Sequence, residues 1–282
     1  MSEFFLLLMA GLLGGVVNTV AGGGSFITFP ALLAVGVPPV AANATNTFAS
    51  FAGYVSGAAG FRQALWAHRT RLYGVIAIAL VGGCLGAWLL LHTREATFQR
   101  AVPWLLLLAT FLLLRGEAIQ RALQAWHTRN PHRSQTIVVL LAALLLSACI
   151  YGGFFNAGLG IILLGYLTLA GYRDIHLMNG IKLLVSAMVA VVAIVMFGAG
   201  DLIAWYQGLV VMAGTIVGGY ASARAVQVVS QIWVRRFIVS VAAAMTLYFL
   251  STFTRCFDPA GVGHVCETAS QPPRRPLKIS AA

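Results

Sequence analysis

Long apolar runs alternate with short glycine-rich or basic connections along this chain. Apolar segments fall at about 4–17, 26–36, 40–61, 72–91 and 101–115. They return at about 136–154, 158–171, 176–197, 203–223 and 237–253. A more polar stretch from Gly116 to Gln135, with Arg121, Arg129, Asn130-Pro131 and Arg133, separates the two sets. Segments of roughly 20 residues have the length of a helix that crosses a bilayer core. The second segment of each set is too short for that. At about 1.5 Å per residue, 26–36 and 158–171 reach roughly half to two-thirds of the way. They read as half-helices or the arms of re-entrant hairpins.

The two sets also repeat each other. Gly14-Gly15-Val16-Val17-Asn18 in the first becomes Gly152-Gly153-Phe154-Phe155-Asn156 in the second, each followed by more glycine, a short apolar piece and a glycine turn. A polar cluster comes next: Asn43-Ala44-Thr45-Asn46 in one half, Asn179-Gly180-Ile181-Lys182 in the other. Glycine-rich, non-helical backbone at membrane depth is tolerated only where it faces protein or a water-filled cavity. Breaks in matching places of two halves point to a transporter's binding site. With an odd number of elements per half, the second half enters the membrane upside down. The predicted fold is therefore an all-α polytopic membrane protein with two inverted-topology repeats and short, broken or re-entrant helices. The first transmembrane repeat spans 1–115, a cytoplasmic linker 116–135, and the second transmembrane repeat 136–253. The tail at 254–282, with Pro272-Pro273, Arg274, Arg275 and Pro276, is expected to be disordered.

Composition agrees with this picture. Sixty per cent of residues are apolar and 9% charged, against about 25% charged in a soluble domain, and the mean hydropathy is +0.88. The formal charge of +11 sits mostly in connections, as it does in cytoplasmic loops. No basic stripe interleaves with aromatics, so nucleic acid is not an expected partner. The basic clusters Arg62, Arg69, Arg71; Arg121, Arg129, Arg133; and Arg224, Arg235, Arg236 place those loops in the cytoplasm. The N-terminus and the 198–202 turn then lie outside, although Arg274, Arg275 and Lys278 argue the other way for the tail. Met1-Ser2-Glu3 supplies no basic region ahead of the first apolar run, which reads as mature structure rather than a signal peptide. Cys84 and Cys149 read as small buried hydrophobes; Cys256 and Cys266 could pair in an oxidising compartment.

The stretch Gly14-Gly15-Val16-Val17-Asn18-Thr19-Val20-Ala21-Gly22-Gly23-Gly24-Ser25 continues into Thr28-Phe29-Pro30-Ala31-Leu32. Pro38-Pro39, Ala42-Asn43-Ala44-Thr45-Asn46 and Gly53 follow. Together they resemble the sulfite exporter TauE/SafE family of membrane transporters. The resemblance is strongest over about 11–62, with a weaker echo over 149–224. It implies an inner-membrane, multi-pass transporter of small sulfur-containing anions or organosulfonates, built from two inverted repeats. Family members are linked to sulfite, sulfoacetate and thiosulfate, and many have no known substrate, so the resemblance says more about architecture than about ligand.

An anion site at the membrane midplane needs N–H donors and positive potential without a permanent trap. Helix N-termini supply both. The candidate substrate-binding residues are Asn18, Gly22, Gly23, Gly24, Ser25, Asn43, Thr45, Asn46, Asn156, Asn179 and Lys182. A lone glycine in a membrane helix more often serves close packing; three in a row between Asn18 and Ser25 favour a site. Lys182 is the only charged residue well inside an apolar span, one turn from Asn179 on nearly the same face. It is a functional candidate by default, with snorkelling to the interface as the plain alternative.

No Asp or Glu lies deep in an apolar segment, so a carboxylate proton relay has no candidate. Uniport driven by the substrate gradient and the membrane potential fits better and would favour anion efflux; coupling through His176 or a protonated substrate stays open. The six histidines form no metal motif, no cofactor is called for, and a buried catalytic carboxylate is missing, so an enzyme is not expected. The competing readings are a transporter of another solute, such as a carboxylate or a metal cation, and an assembly factor without transport activity. The expected partners are a small anionic substrate and the lipid bilayer; a homo-oligomer is compatible with the chain but not specified by it.

Overall fold

A computed structural model describes residues 1–129, 135–225 and 240 of the chain. The described residues contain helices and no strand. In chain order they are α1 (Ser2–Ala21), α2 (Ser25–Ala34), α3 (Pro39–Gly60), α4 (Arg62–Ala67), α5 (Arg69–Leu91), α6 (Glu95–Arg129), α7 (Gln135–Phe154), α8 (Leu159–Leu169), α9 (Ile175–Ala199) and α10 (Trp205–Ala225). The two short segments are helices of 10 and 11 residues. By length and composition, Leu72–Leu91 and Ile175–Ala199 are each apolar enough to cross a membrane. The expected segment at 237–253, the tail, and the Cys256 and Cys266 pair lie outside the described residues.

Two boundaries differ from expectation for clear reasons. The first polar run does not interrupt α1 at Asn18. The helix continues to Ala21, and the Gly22 N–H closes it on the Asn18 carbonyl at 3.0 Å. The break is thus only Gly22-Gly23-Gly24. At the other boundary, α6 stays helical through 116–129. That stretch is polar but rich in good helix formers, and its next proline is Pro131. Polarity alone does not end a helix.

The helices pack along glycine seams. On α1, a Cβ at Gly15 would stand 2.4 Å from the Thr215 carbonyl of α10, and one at Gly218 would stand 2.0 Å from the Leu12 carbonyl. On α5, a Cβ at Gly86 would stand 2.2 Å from the Ile150 carbonyl of α7. Backbones approach this closely only where side chains are absent, the small-residue packing of membrane helices. Along both seams the partners run parallel, since later residues of one meet later residues of the other. α3 and α9 instead cross antiparallel: Gly57 meets Leu183, and Gly180 meets Phe61.

Two groups result, α1–α2–α3–α10 and α5–α7–α8–α9, and each borrows a helix from the other half of the chain. Replacing α1, α2, α3 and α5 by α7, α8, α9 and α10, and the reverse, leaves the pairings unchanged. α1 with α10 becomes α7 with α5, α3 with α10 becomes α9 with α5, and α3 with α9 maps onto itself. Phe26 and Phe29 of the first group share one core with Phe98 and Phe155 from outside it, Phe29 edge-to-face with Phe155 at 5.8 Å. The outer faces of α5, α6, α7 and α10 expose large apolar side chains, among them Val81, Trp104, Phe111, Val139 and Val217. So many exposed large apolar side chains among the described residues suit a lipid surface better than an aqueous one.

The α2–α3, α5–α6 and α9–α10 connections gather at one end. There the Val40 N–H donates to Glu95 Oε1 at 3.1 Å and the Ala204 N–H donates to Thr45 Oγ1 at 2.9 Å. This end carries the two carboxylates of these connections, Glu95 and Asp201, with Arg94 next to Glu95, and is the more acidic of the two. The opposite end carries Arg62 and Arg69 around α4, and Arg173 with Asp174 in the α8–α9 turn.

Candidate functional site

Each half-helix is entered through a break of fixed geometry. Gly22 closes α1 at φ 77°, the left-handed region that glycine adopts without penalty. α2 then turns back sharply beside α1: a Cβ on Gly24 would stand 2.3 Å from the Gly14 carbonyl. The second break, Asn156-Ala157-Gly158, has Gly158 at φ 83° and is braced by the Tyr151 hydroxyl, which donates to the Ala157 carbonyl at 2.8 Å. Both half-helices end in the same pair of bonds. Val37 N–H reaches the Leu32 carbonyl and Gly36 N–H the Leu33 carbonyl; Tyr172 and Gly171 do the same to Leu167 and Thr168.

The first break meets the start of the second half-helix. A Cβ on Gly22 would lie 3.6 Å from Gly160 Cα and equally 3.6 Å from Lys182 Nζ. A Cβ on Gly160 would lie 3.4 Å from both the Gly22 carbonyl oxygen and Lys182 Cδ. The Lys182 stem therefore runs along Gly160 and brings its ammonium to Gly22. Lys182 is 2% exposed and donates to Asn179 Oδ1 at 3.0 Å. No carboxylate of the described residues pairs with it. An ammonium has three donors, and a buried charge with one neutral partner gains strongly from an anion.

The expected site residues divide by position. Asn18, the Gly22–Ser25 turn, Asn156, Asn179 and Lys182 surround this crossing. Asn18 lies in the last turn of α1, its amide nitrogen 3.7 Å from where a Cβ on Gly53 would be, and Ser25 is buried at the start of α2. Asn43 and Asn46 hold backbone and helix instead: Asn43 Nδ2 donates to the Phe154 carbonyl at 2.8 Å, and Asn46 Oδ1 accepts from the Thr28 hydroxyl. Thr45 faces the acidic end, where it accepts from Ala204.

Sequence reasoning missed Gly160 and Tyr54. Gly160 stands four residues after Asn156, as Gly22 does after Asn18, so the repeat itself could have found it. Tyr54 on α3 is buried among Leu183, Ala187 and Ala190 of α9, and its hydroxyl donates to Asn156 Oδ1 at 3.2 Å. The side chains of Ser50 and Ser25 also interact with that hydroxyl. The second half has no residue in its place to signal it.

A cavity of about 280 Å³ opens at the acidic end, between Val35–Pro38 and Asp201–Ala204, with Gln207 in its wall. It is lined by none of the residues at the crossing. Among the described residues no three His, Cys, Asp or Glu side chains gather as metal ligands. Beside the Gly22 carbonyl, the crossing offers donors: amide N–H, hydroxyl and one ammonium.

The sequence profile described as sulfite exporter TauE/SafE matches residues 7–249. The chain is also similar to a probable membrane transporter protein of Haemophilus influenzae. The two are 28% identical over 250 residues, which cover 86% of this chain and 92% of the relative. The probable membrane transporter protein YfcA of Escherichia coli K12 is 28% identical over 87% of this chain and 88% of its own. The probable membrane transporter protein ORF9 of a Sinorhizobium species is 29% identical over 86% and 90%. No solved structure matches the chain.

Proposed function

The chain belongs to the sulfite exporter TauE/SafE family of membrane transporters, and from that premise we propose that it exports a small sulfur-containing oxyanion, sulfite or an organosulfonate, by alternating access. It does so as a multi-pass protein of the cell inner membrane, built from two inverted repeats. The observation that carries this reading is the meeting of the first helix break, at Gly22, with the start of the second half-helix, at Gly160, and beside them a buried lysine with no carboxylate partner among the described residues. Half-helices that end at the midplane of paired repeats are where secondary transporters bind substrate. The antiparallel crossing of α3 and α9, and the pairings that survive exchange of the two halves, support the inverted repeat. The basic end is cytoplasmic on the positive-inside rule, and the cavity at the acidic end is the outer vestibule.

At the crossing the anion takes its countercharge from Lys182. Neutral donors complete its shell: Asn18, Ser25, Asn156, and the amides of Gly23, Gly24 and Ser25 at the α2 N-terminus. One fixed positive charge among neutral donors binds an anion and still lets it leave. With no buried carboxylate among the described residues, the substrate gradient and the membrane potential drive transport, and a negative interior favours efflux.

The test is movement of labelled sulfite, a sulfonate and a carboxylate in proteoliposomes with an imposed potential and no pH gradient. Potential-driven movement of a sulfur oxyanion is expected. Movement that needs a pH gradient would replace uniport by proton coupling, and silence toward all three would reject the transport reading.

A further inference from the structure

Asn156 lies in the break before α8, 3% exposed, and its two amide atoms differ in their surroundings. The oxygen accepts from the Tyr54 hydroxyl at 3.2 Å. The nitrogen is buried without any hydrogen-bond partner, the single side-chain atom of which this is true among the described residues. A buried, unpaired donor costs about 1–3 kcal/mol, so a fold rarely keeps one without use for it. One turn further on, Gly160 touches Gly22 and the stem of Lys182. The orphan donor, the α8 N-terminus and the ammonium thus belong to one neighbourhood.

Tyr54 fixes which atom is left free. An asparagine amide offers two donors or one acceptor depending on how it turns. With a hydroxyl donating to its oxygen, the amide presents only N–H groups. Tyr54 comes from α3, in the first half, and is positioned by Leu183, Ala187 and Ala190 of α9. Ser25, at the other break, interacts with the same hydroxyl. A single phenol therefore connects both breaks to the central helix pair.

Resting on the transport reading above, we infer that Tyr54 is a specificity-determining positioning residue: it locks Asn156 as a pure donor to the substrate and so selects ligands that present only acceptor oxygens. Sulfite and sulfonate oxygens meet that requirement. A protonated or amide-bearing analogue, which brings its own donor to the same place, does not.

Asn156→Asp keeps the acceptor for the Tyr54 hydroxyl, and so the contact between α3 and the α8 entrance, but replaces the N–H donors by a negative charge. Asn156→Leu, which removes the donors without adding charge, is read beside it and is expected to raise the half-saturating concentration severalfold. In proteoliposomes loaded with sulfite, N156D is expected to raise the half-saturating concentration at least tenfold. Tyr54→Phe is expected to raise it severalfold and narrow the preference for sulfite over a neutral sulfonamide. The double variant Y54F/N156D is expected to be no worse than N156D alone, because Tyr54 acts through Asn156. Thermal unfolding in detergent accompanies each variant, and Asn156→Ser, which restores a small donor, should recover part of the loss seen in N156D. Sulfite affinity in N156L equal to wild type overturns the inference and leaves the transport reading standing. Additive losses in the double variant overturn it as well. A wild-type protein that moves no oxyanion removes both.

Discussion

At the scale of single residues, the proposed site turns on the buried ammonium of Lys182. Among the described residues it donates to the Asn179 oxygen, and its stem is packed along Gly160. Removing one member of a buried charge pair typically costs 2–5 kcal/mol, and each 1.4 kcal/mol is tenfold in affinity. Lys182→Ala should therefore weaken sulfite binding by roughly tenfold or more while the protein still elutes as folded material. Lys182→Met, which keeps the stem and removes the charge, should do the same; sulfite affinity retained in the methionine variant would refute the countercharge role. Glu95 makes a second residue-level case, at the first position of α6 outside the apolar segments. Burial pushes its carboxyl above the ordinary value, and the Val40 N–H offsets this only in part. A raised folded-state pKa means that the folded protein holds this proton more tightly than the unfolded chain. The stabilisation is complete below pH 4.5, the ordinary value, and is lost as pH climbs through the raised one. Glu95→Gln keeps an oxygen for Val40 and removes the titration. Melting temperatures recorded from pH 4 upward should fall more steeply for wild type than for E95Q.

At the scale of elements, the seams hold the helices and the breaks shape them. Gly15→Ala places a methyl 2.4 Å from the Thr215 carbonyl, and overpacking of this kind costs about 1–3 kcal/mol. Gly74, in α5, has nothing within 4 Å of its missing Cβ. Unfolding in detergent should show G15A clearly destabilised and G74A unchanged or slightly more stable, since alanine is the better helix former. The helices themselves were legible in the sequence, because apolar length and glycine punctuation decide them locally. Both half-helices were predictable for the same reason. The end of α1 was not, since the sequence around Asn18 looks like a loop and only the Gly22 turn terminates the helix. Of the proposed site, the repeat displays Asn18, Asn156, Asn179 and Lys182. Other polar contacts are visible only in the geometry. Thr45 and Tyr54 both lie on α3, yet one serves a connection at the acidic end and the other reaches Asn156. Which face of a helix meets which neighbour is a tertiary fact, and a polar residue in an apolar run does not announce its direction.

At the scale of the whole molecule, each group of helices contains one borrowed from the other half, and α3 against α9 is the principal contact between the groups. Alternating access of the proposed kind requires the groups to shift along that contact while the glycine seams stay closed. A disulfide between Gly57→Cys and Leu183→Cys, where a Cβ on Gly57 would stand 2.8 Å from the leucine side chain, should arrest transport until reduced. One between Phe48→Cys and Gly208→Cys, joining α3 to α10 inside a single group, should leave transport largely intact. Equal arrest by both would place the motion elsewhere. The contact of Gly22 with Gly160 has a lysine beside it that the other half does not match: Lys182 stands seven residues into α9, and the residue seven into α3 is the neutral Asn46. However alike the two halves are in helix pairing, they are unlike in charge, so exchanging them would not present the same molecule to a passing anion.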